Sequence, residues 1–170
     1  HFTLFTENEV KYGELAEVTI DDEFWNDKLE VFNNITAPYV LKKWIEETHD
    51  NLGNFKKVAA GNRNTGNYIG SMTWGECDFY ASLAGASRLL NQNANPELER
   101  IITECVDVIF AASETCENGY FGIYNLLMTN GLMWDQTSHN NPQTLDHLNM
   151  GMLIEAGVEY YRATGDARLL

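Results

Sequence analysis

Apolar side chains recur at the spacing of an α-helix along most of this 170-residue chain. The clearest run follows Asn95-Pro96, because an asparagine cap and a proline at the first helical position together open a helix. One face of that helix then carries seven apolar residues: Leu98, Ile101, Ile102, Cys105, Val108, Ile109 and Ala112. A periodicity of three and four residues is typical of a helix that buries one face in a core.

Four further stretches show the same pattern. One begins at the acidic run of residues 21–23, and the next follows Pro38. A third begins at a capping box, in which Thr73 is the N-cap and Glu76 reaches back towards it. The last is the closing segment, residues 144–170. The sequence therefore predicts an all-α chain of paired helices, with only one short strand, over Leu15, Val18 and Ile20.

Two long segments separate these helices. Residues 53–71 hold four glycines and four asparagines, and residues 120–143 form a second, aromatic loop region. Loops of this length in compact domains are often functional. The predicted order is thus helix, helix, long loop, helix, helix, long loop, helix.

The charge balance excludes some classes of partner. The net charge of −14 comes from 25 acidic against 11 basic residues. Nucleic-acid binding requires a basic surface, and an anionic membrane surface is disfavoured for the same reason. No apolar run approaches the roughly 20 residues that span a bilayer. The sequence therefore predicts neither a nucleic acid nor a membrane as partner, and a neutral or weakly cationic ligand is compatible with it.

The three cysteines, Cys77, Cys105 and Cys116, have no CxxC spacing. Their odd number and spacing argue against both a disulfide framework and a zinc knuckle. His139 and His147 also lack the spacing of metal ligands. No metal or cofactor site is predicted in this part of the chain.

Polar groups stand at the start of the apolar closing helix. On a helical wheel, the predicted apolar stripe consists of Met150, Leu153, Ile154, Ala156, Gly157, Tyr160 and Tyr161. Asp146 and Asn149 lie on this stripe and His147 at its edge, whereas Glu155, Glu159 and Arg162 lie opposite. Two interpretations remain open. Asp146 is a helix-start acid and His147 a boundary residue, or the buried face opens at this end into a polar pocket that binds a substrate.

Three more residues are candidates for substrate binding. Asp78 lies near the start of the small-residue helix, where it is otherwise an ordinary early-helix acid. Trp74 and Trp134 offer aromatic faces on which a sugar ring can stack, although tryptophans more often pack in a core or loop.

Four stretches together resemble the N-terminal part of the glycoside hydrolase family 127 group, which includes β-L-arabinofuranosidases. They are "VTIDDEFW", "WGECDFYASLAGASRLL", "ENGYFGIY" and "LNMGMLIEAGVEYYRATGDARLL", and the resemblance covers residues 14–170. It implies an (α/α)6 barrel, in which inner and outer helices alternate and the sugar site lies at one end of the inner ring. Residues 1–170 are then the incomplete N-terminal portion of one barrel domain, and the rest of the barrel is their partner.

The resemblance also implies an activity. It indicates a glycoside hydrolase that acts on a plant or microbial polysaccharide or oligosaccharide, as an arabinofuranosidase-like exo-enzyme. The family's zinc site, its thiolate nucleophile and its glutamate acid/base lie later in the chain, so zinc belongs to the complete protein and the catalytic residues are expected beyond Leu170. The 170 residues alone are therefore expected to be inactive.

One departure from the family concerns the closing helix. Typical members carry His-Glu-Leu-Tyr-Cys-Ala-Gly-His where this chain has residues 145–152, so Leu145 and Met152 replace both histidines. Two alternatives to the arabinofuranosidase remain. They are another (α/α)6 sugar enzyme, such as a uronyl hydrolase or an epimerase, and a non-catalytic helical interaction module.

Overall fold

The computed structural model describes residues 20–47, 50–70, 75–117, 119–128 and 146–170. Within these ranges the chain forms helices and no strand, which confirms the predicted all-α class. The α-helices are α1 (Glu23–Val31), α2 (Ala37–Lys42), α3 (Asn51–Ala59), α4 (Gly75–Gln92), α5 (Pro96–Ser113), α6 (Ile123–Met128) and α7 (Asp146–Thr164). The predicted strand lies outside the described residues except for its last position.

The helix starts follow their local sequence. The Asp22 side chain accepts a hydrogen bond from the Trp25 amide at 3.0 Å and caps α1. Asn95 accepts from the Leu98 amide at 3.1 Å, with Pro96 at the first position of α5. Each cap satisfies one of the amides that a helix start leaves without a partner. Both starts were predicted from the sequence.

The region around Pro38 differs from the prediction of two separate helices. Two π-helical turns, Phe32–Thr36 and Lys43–Glu47, join α1 and α2 into one continuous helical stretch. Proline has no N–H and normally breaks or kinks a helix. Here the Ala37 amide bonds the Phe32 carbonyl in the wider turn just before Pro38, so the helix accommodates the ring without ending.

The predicted loop over residues 53–71 is wrong in its first third. Helix α3 occupies Asn51–Ala59, and Asp50 caps it by accepting from the Gly53 amide at 3.2 Å. Leu52, Phe55 and Val58 are buried at a spacing of three. Burying these side chains, at roughly 1.5–3 kcal/mol each, outweighs the poor helix propensity of the glycine and asparagines. The connecting loop is residues 60–70.

The core lies where α4 packs along α7 and α3 packs on α5. Its aromatic centre is Phe55, which stacks on Phe121 at 5.7 Å between ring centroids and contacts Phe79 at 5.8 Å. At the α4–α7 surface, Arg88 bonds Glu155 at 2.6 Å and also reaches Glu159. These contacts hold the C-terminal halves of α4 and α7 side by side.

The buried face of α7 differs from the predicted stripe. Ala156, Gly157 and Tyr160 are buried as predicted, whereas Ile154 is 64% and Tyr161 46% exposed. Opposite charges explain why Glu159 is buried instead, since Arg88 and Arg162 both bond it. Apolar side chains of α1, among them Phe24 and Trp25, are likewise exposed.

Candidate functional site

A cluster of buried polar side chains lies where α4 and α7 begin. The residues come from four parts of the chain: the loop 60–70, α4, the segment 119–128 and α7. We call them the buried polar cluster, and they are Tyr68, Glu76, Tyr120, Asn125, Asp146 and Asn149. Tyr68 is partly buried, and the other five are at least nine-tenths buried.

Asp146, the first residue of α7, accepts hydrogen bonds from two side chains of the segment 119–128. The Tyr120 hydroxyl and Asn125 Nδ2 both donate to Asp146 Oδ2, the amide at 2.6 Å. Asn125 Nδ2 also lies 3.0 Å from the Tyr120 oxygen. Burial and the neighbouring Asp146 carboxylate raise the pKa of the Tyr120 hydroxyl, which therefore stays a donor. Asp146 is thus a buried, hydrogen-bonded carboxyl rather than a solvated helix-start acid.

Two glycines shape the segment that carries Tyr120. Gly119 has a φ of 68°, in the left-handed region that side chains rarely adopt, and it turns the chain after α5. A Cβ on Gly122 would lie 2.8 Å from Tyr120 Cζ and 2.9 Å from Asp146 Cγ. The Tyr120–Asp146 contact therefore requires a glycine at position 122.

Glu76 and Asn149 join the first turns of α4 and α7. Asn149 Nδ2 donates to Glu76 Oε2 at 2.8 Å, and the Tyr68 hydroxyl donates to the same carboxyl. Burial raises the pKa of Glu76, the Tyr68 hydrogen bond opposes this shift and the nearby Asp146 adds to it, so that the pKa is about 8. The cluster thus contains two carboxyl groups, of which Glu76 has the less favourable surroundings for a charge.

The loop 60–70 is fastened so that Tyr68 reaches this position. Asn54 Nδ2 donates to the Ile69 carbonyl at 2.8 Å and its Oδ1 accepts from the Ile69 amide at 2.9 Å. Arg63 Nη2 donates to the carbonyl and the hydroxyl of Thr115, at 2.8 and 3.0 Å. The Tyr68 ring meets Tyr124 edge-on at 5.1 Å. A glycine- and asparagine-rich loop is in this way held by side chains of α3 and of the turn after α5.

The family follows from a comparison of sequences. A model of the family described as β-L-arabinofuranosidase, GH127 catalytic domain, matches residues 17–170, nearly the whole chain. The chain belongs to this family. No curated protein matches it.

Solved structures of the family show the same fold. The chain superposes on a GH127 β-L-arabinofuranosidase from Geobacillus stearothermophilus T6 with a TM-score of 0.71 and 24% identity, over 89% of this chain and 23% of that one. The GH127 β-arabinofuranosidase BT3674 gives a TM-score of 0.72 at 24% identity, over 91% and 24% of the two chains. The chain therefore spans about a quarter of the length of these structures. Its helices have the arrangement of part of an (α/α)6 barrel.

Two of the predicted site residues of this GH127 chain lie in the buried polar cluster, namely Asp146 and Asn149. His147 is exposed beside them at the start of α7. Asp78 is also exposed, on α4, where its carbonyl accepts from the Ser82 hydroxyl. Trp74 and Trp134 lie outside the described residues. Substrate binding by these residues remains a prediction.

The other members of the cluster were not predicted as site residues. Glu76 was interpreted only as half of a capping box, and nothing in its spacing indicates that it is buried against Asn149. Tyr120 falls in the "ENGYFGIY" stretch, whose two glycines were the available signal. Tyr68 and Asn125 lie in segments predicted to be loops, where no periodicity shows which side chains turn inward. The loop prediction over residues 120–143 is wrong at Ile123–Met128, which form α6.

The described part of this GH127 chain does not fit a zinc ion. No three His, Cys, Asp or Glu side chains come close enough together there to hold a metal. Burial raises the pKa of the Cys105 thiol to about 12, which disfavours the thiolate that a metal binds. No step is therefore assigned to zinc here. Among the described residues, no helix is long and apolar enough to cross a membrane.

Proposed function

We propose that this chain forms part of the catalytic domain of a glycoside hydrolase, an arabinofuranosidase-like exo-enzyme that acts on plant or microbial oligosaccharides. The observation that supports this most is the buried polar cluster at the start of α4 and α7. It gathers carboxyl, amide and phenol groups, and these are the groups that bind the hydroxyls of a neutral sugar. The acidic chain, with its net charge of −14, is compatible with an uncharged substrate.

In this proposal the cluster lies beneath the sugar site, on the side away from the sugar, and holds the residues of the site in position. Asp146 and Asn149 are almost completely buried, so they hold neighbouring groups in place and offer hydrogen bonds at the inner edge of the site. Of the predicted site residues that the structure describes, His147 and Asp78 are exposed and can reach a sugar directly. No catalytic role is assigned to any described residue.

The first test is the activity of the protein produced at the full length of its gene. It should hydrolyse an aryl L-arabinofuranoside faster than the corresponding pyranosides in a panel of aryl glycosides. Replacement of His147 by Ala should raise KM or lower kcat without lowering the unfolding temperature. A matched exposed site on the far end of the same helix, Tyr161→Phe, should leave both constants unchanged.

Two results would count against this function. Turnover of an unsaturated uronide or epimerisation of a free sugar, with no glycoside hydrolysis, would favour another (α/α)6 enzyme. Absence of turnover together with absence of L-arabinose binding in ligand-observed NMR would favour the non-catalytic module.

A further inference from the structure

Two buried side chains at the centre of the buried polar cluster, Glu76 and Asn149, each have one oxygen without a hydrogen-bond partner. Asn149 Nδ2 donates to Glu76 Oε2 at 2.8 Å, which joins the amide to the carboxyl on one side. The remaining oxygen of each group, Asn149 Oδ1 and Glu76 Oε1, is buried and has no hydrogen-bond partner. The side chains are 3% and 2% exposed. Two acceptors are therefore left buried in one contact.

An ionised Glu76 can satisfy neither atom, because a carboxylate only accepts hydrogen bonds. A protonated carboxyl also carries one O–H donor. With a proton on Glu76 Oε1, this oxygen becomes a donor, which is the kind of group that Asn149 Oδ1 lacks. If the two atoms face each other, one proton satisfies both, and the cost of a buried acceptor without a donor favours that protonation state.

We propose that Glu76 is a neutral carboxylic acid in the folded protein at neutral pH, and that it positions α4 against α7 through a doubly hydrogen-bonded acid–amide pair with Asn149. The pair joins residues 73 positions apart in the sequence. Glu76 is a positioning residue in this proposal.

The surroundings of Glu76 favour the neutral form on balance, because burial outweighs the hydrogen bonds from the Tyr68 hydroxyl and the Glu76 and Tyr124 amides, which favour the ionised form. Titratable groups that face it or flank the pair come from every adjoining part of the cluster: Tyr68, Cys77, Tyr80, Tyr120, Tyr124, Asp146 and His147. Asp146 is a second carboxyl and disfavours a charge on Glu76. His147, the only base among them, is exposed at the start of α7. No Lys or Arg of the described residues forms an ion pair with Glu76.

The sign of the pH dependence follows from this assignment. Burial and Asp146 raise the pKa of Glu76 from 4.5 to about 8 in the folded protein. Between these pH values the folded protein holds a proton that the unfolded chain has lost. The contribution of Glu76 to stability is therefore complete below the lower value, is lost as the pH rises towards about 8, and does not change further above it.

The test compares the wild-type protein, at the full length of its gene product, with Glu76→Gln. Glutamine keeps the shape and remains neutral at every pH. Urea unfolding gives the equilibrium constant of folding for each protein, and the quantity of interest is the ratio of the wild-type constant to the variant constant. This ratio should fall by up to about tenfold per pH unit between about pH 5 and 8. Glu99→Gln makes the same substitution at an exposed site of α5 and should keep the wild-type slope. A ratio that is constant or rises with pH overturns the proposal.

A second measurement uses the wild-type protein alone, so it does not depend on whether a variant folds. The infrared spectrum of the wild type at pH 7 should contain the carbonyl band of a buried protonated carboxyl, and this band should disappear near pH 9. Its absence at pH 7 overturns the assignment even if Glu76→Gln does not fold.

The inference rests on the proposed function in one respect only, namely that ionisation of Glu76 should also lower glycoside turnover above about pH 8. The two can fail separately. If the protein hydrolyses no glycoside but shows the pH-dependent ratio and the infrared band, the function is wrong and the acid–amide pair stands. If it hydrolyses glycosides without either signature, the pair is wrong and the function stands.

Discussion

The Tyr120 hydroxyl donates a hydrogen bond to Asp146, the first residue of α7, across 26 positions of sequence. Asn125 donates to the same carboxylate oxygen at 2.6 Å. One buried carboxyl therefore binds the segment 119–128 to the start of α7. The position of α6 and the shape of the buried polar cluster both depend on this contact.

Replacement of Tyr120 by Phe should destabilise the protein. The change removes one of the two side-chain donors on a buried carboxyl and leaves its packing nearly intact, so we expect a loss of about 1.5–3 kcal/mol. Urea unfolding measures it. Tyr161→Phe, at a half-exposed position of α7, is the control and should be close to neutral. Equal stability of the two variants would show that the Tyr120–Asp146 hydrogen bond is not formed in solution.

Gly122→Ala should be destabilising although alanine is normally the better residue. Its Cβ would lie 2.9 Å from Asp146 Cγ, and forcing a group into a packed site costs about 1–3 kcal/mol. Gly151→Ala on α7 is the matched control. A Cβ on Gly151 would meet no neighbouring group within 4 Å. The higher helix propensity of alanine should therefore stabilise the Gly151→Ala protein by about 0.5–1 kcal/mol. The unfolding temperature should therefore fall in Gly122→Ala and rise in Gly151→Ala. A shift in the same direction in both variants would contradict the close approach of Gly122 to Asp146.

Arg63→Lys should loosen the loop 60–70. The guanidinium bonds the Val58, Asn62 and Thr115 carbonyls at 2.8–3.0 Å, and an ammonium group cannot span all three. We expect faster amide hydrogen exchange at Asn64 and Gly66, whose amides bond the Leu126 and Leu127 carbonyls. Arg100→Lys, at an exposed ion pair on α5, should leave these rates unchanged. If the exchange rates of the Asn64 and Gly66 amides are unchanged in Arg63→Lys too, Arg63 does not hold the loop 60–70 in place.

Asp146→Asn tests whether Asp146 serves the site or only the fold. An asparagine oxygen can still accept from Tyr120 and Asn125, so the unfolding temperature should fall by only a few degrees. If the cluster supports the sugar site, kcat/KM of the full-length gene product should fall by about tenfold or more, since each 1.4 kcal/mol of lost stabilisation is a factor of ten. Wild-type kinetics with a large loss of thermal stability would assign Asp146 to the fold alone.

Local chemistry was enough to predict most of the helices. Caps such as Asp22 and Asn95 act within three residues, and α5 shows its buried face directly in the spacing of its apolar side chains. These signals do not depend on distant contacts, so the sequence alone shows them. The resemblance to the glycosidase family, confirmed by the match over residues 17–170, likewise depends on local stretches in order.

The errors arose where tertiary contacts overrule local preference. Gly53 and Asn54 open the predicted loop over residues 53–71, yet Phe55 makes this stretch helical because it fills the aromatic centre of the core. The stripe predicted for α7 placed Ile154 inside and Glu159 outside. Arg88, which is 71 residues away from Glu159, reverses the environment of that glutamate.

The sequence by itself determined where α1 and α5 begin, six of the seven residues predicted for the buried face of α5 (Val108 is only partly buried, and Val106 is buried instead), and that Asp146 and Asn149 are unusual polar residues on a buried face. Only the tertiary structure decided what those two residues meet. Asp146 meets Tyr120 and Asn149 meets Glu76, from segments 26 and 73 residues away. Helix periodicity is a property of neighbours along the chain, whereas the partner of a buried polar group is chosen by whichever distant side chain the packing brings within 3 Å of it.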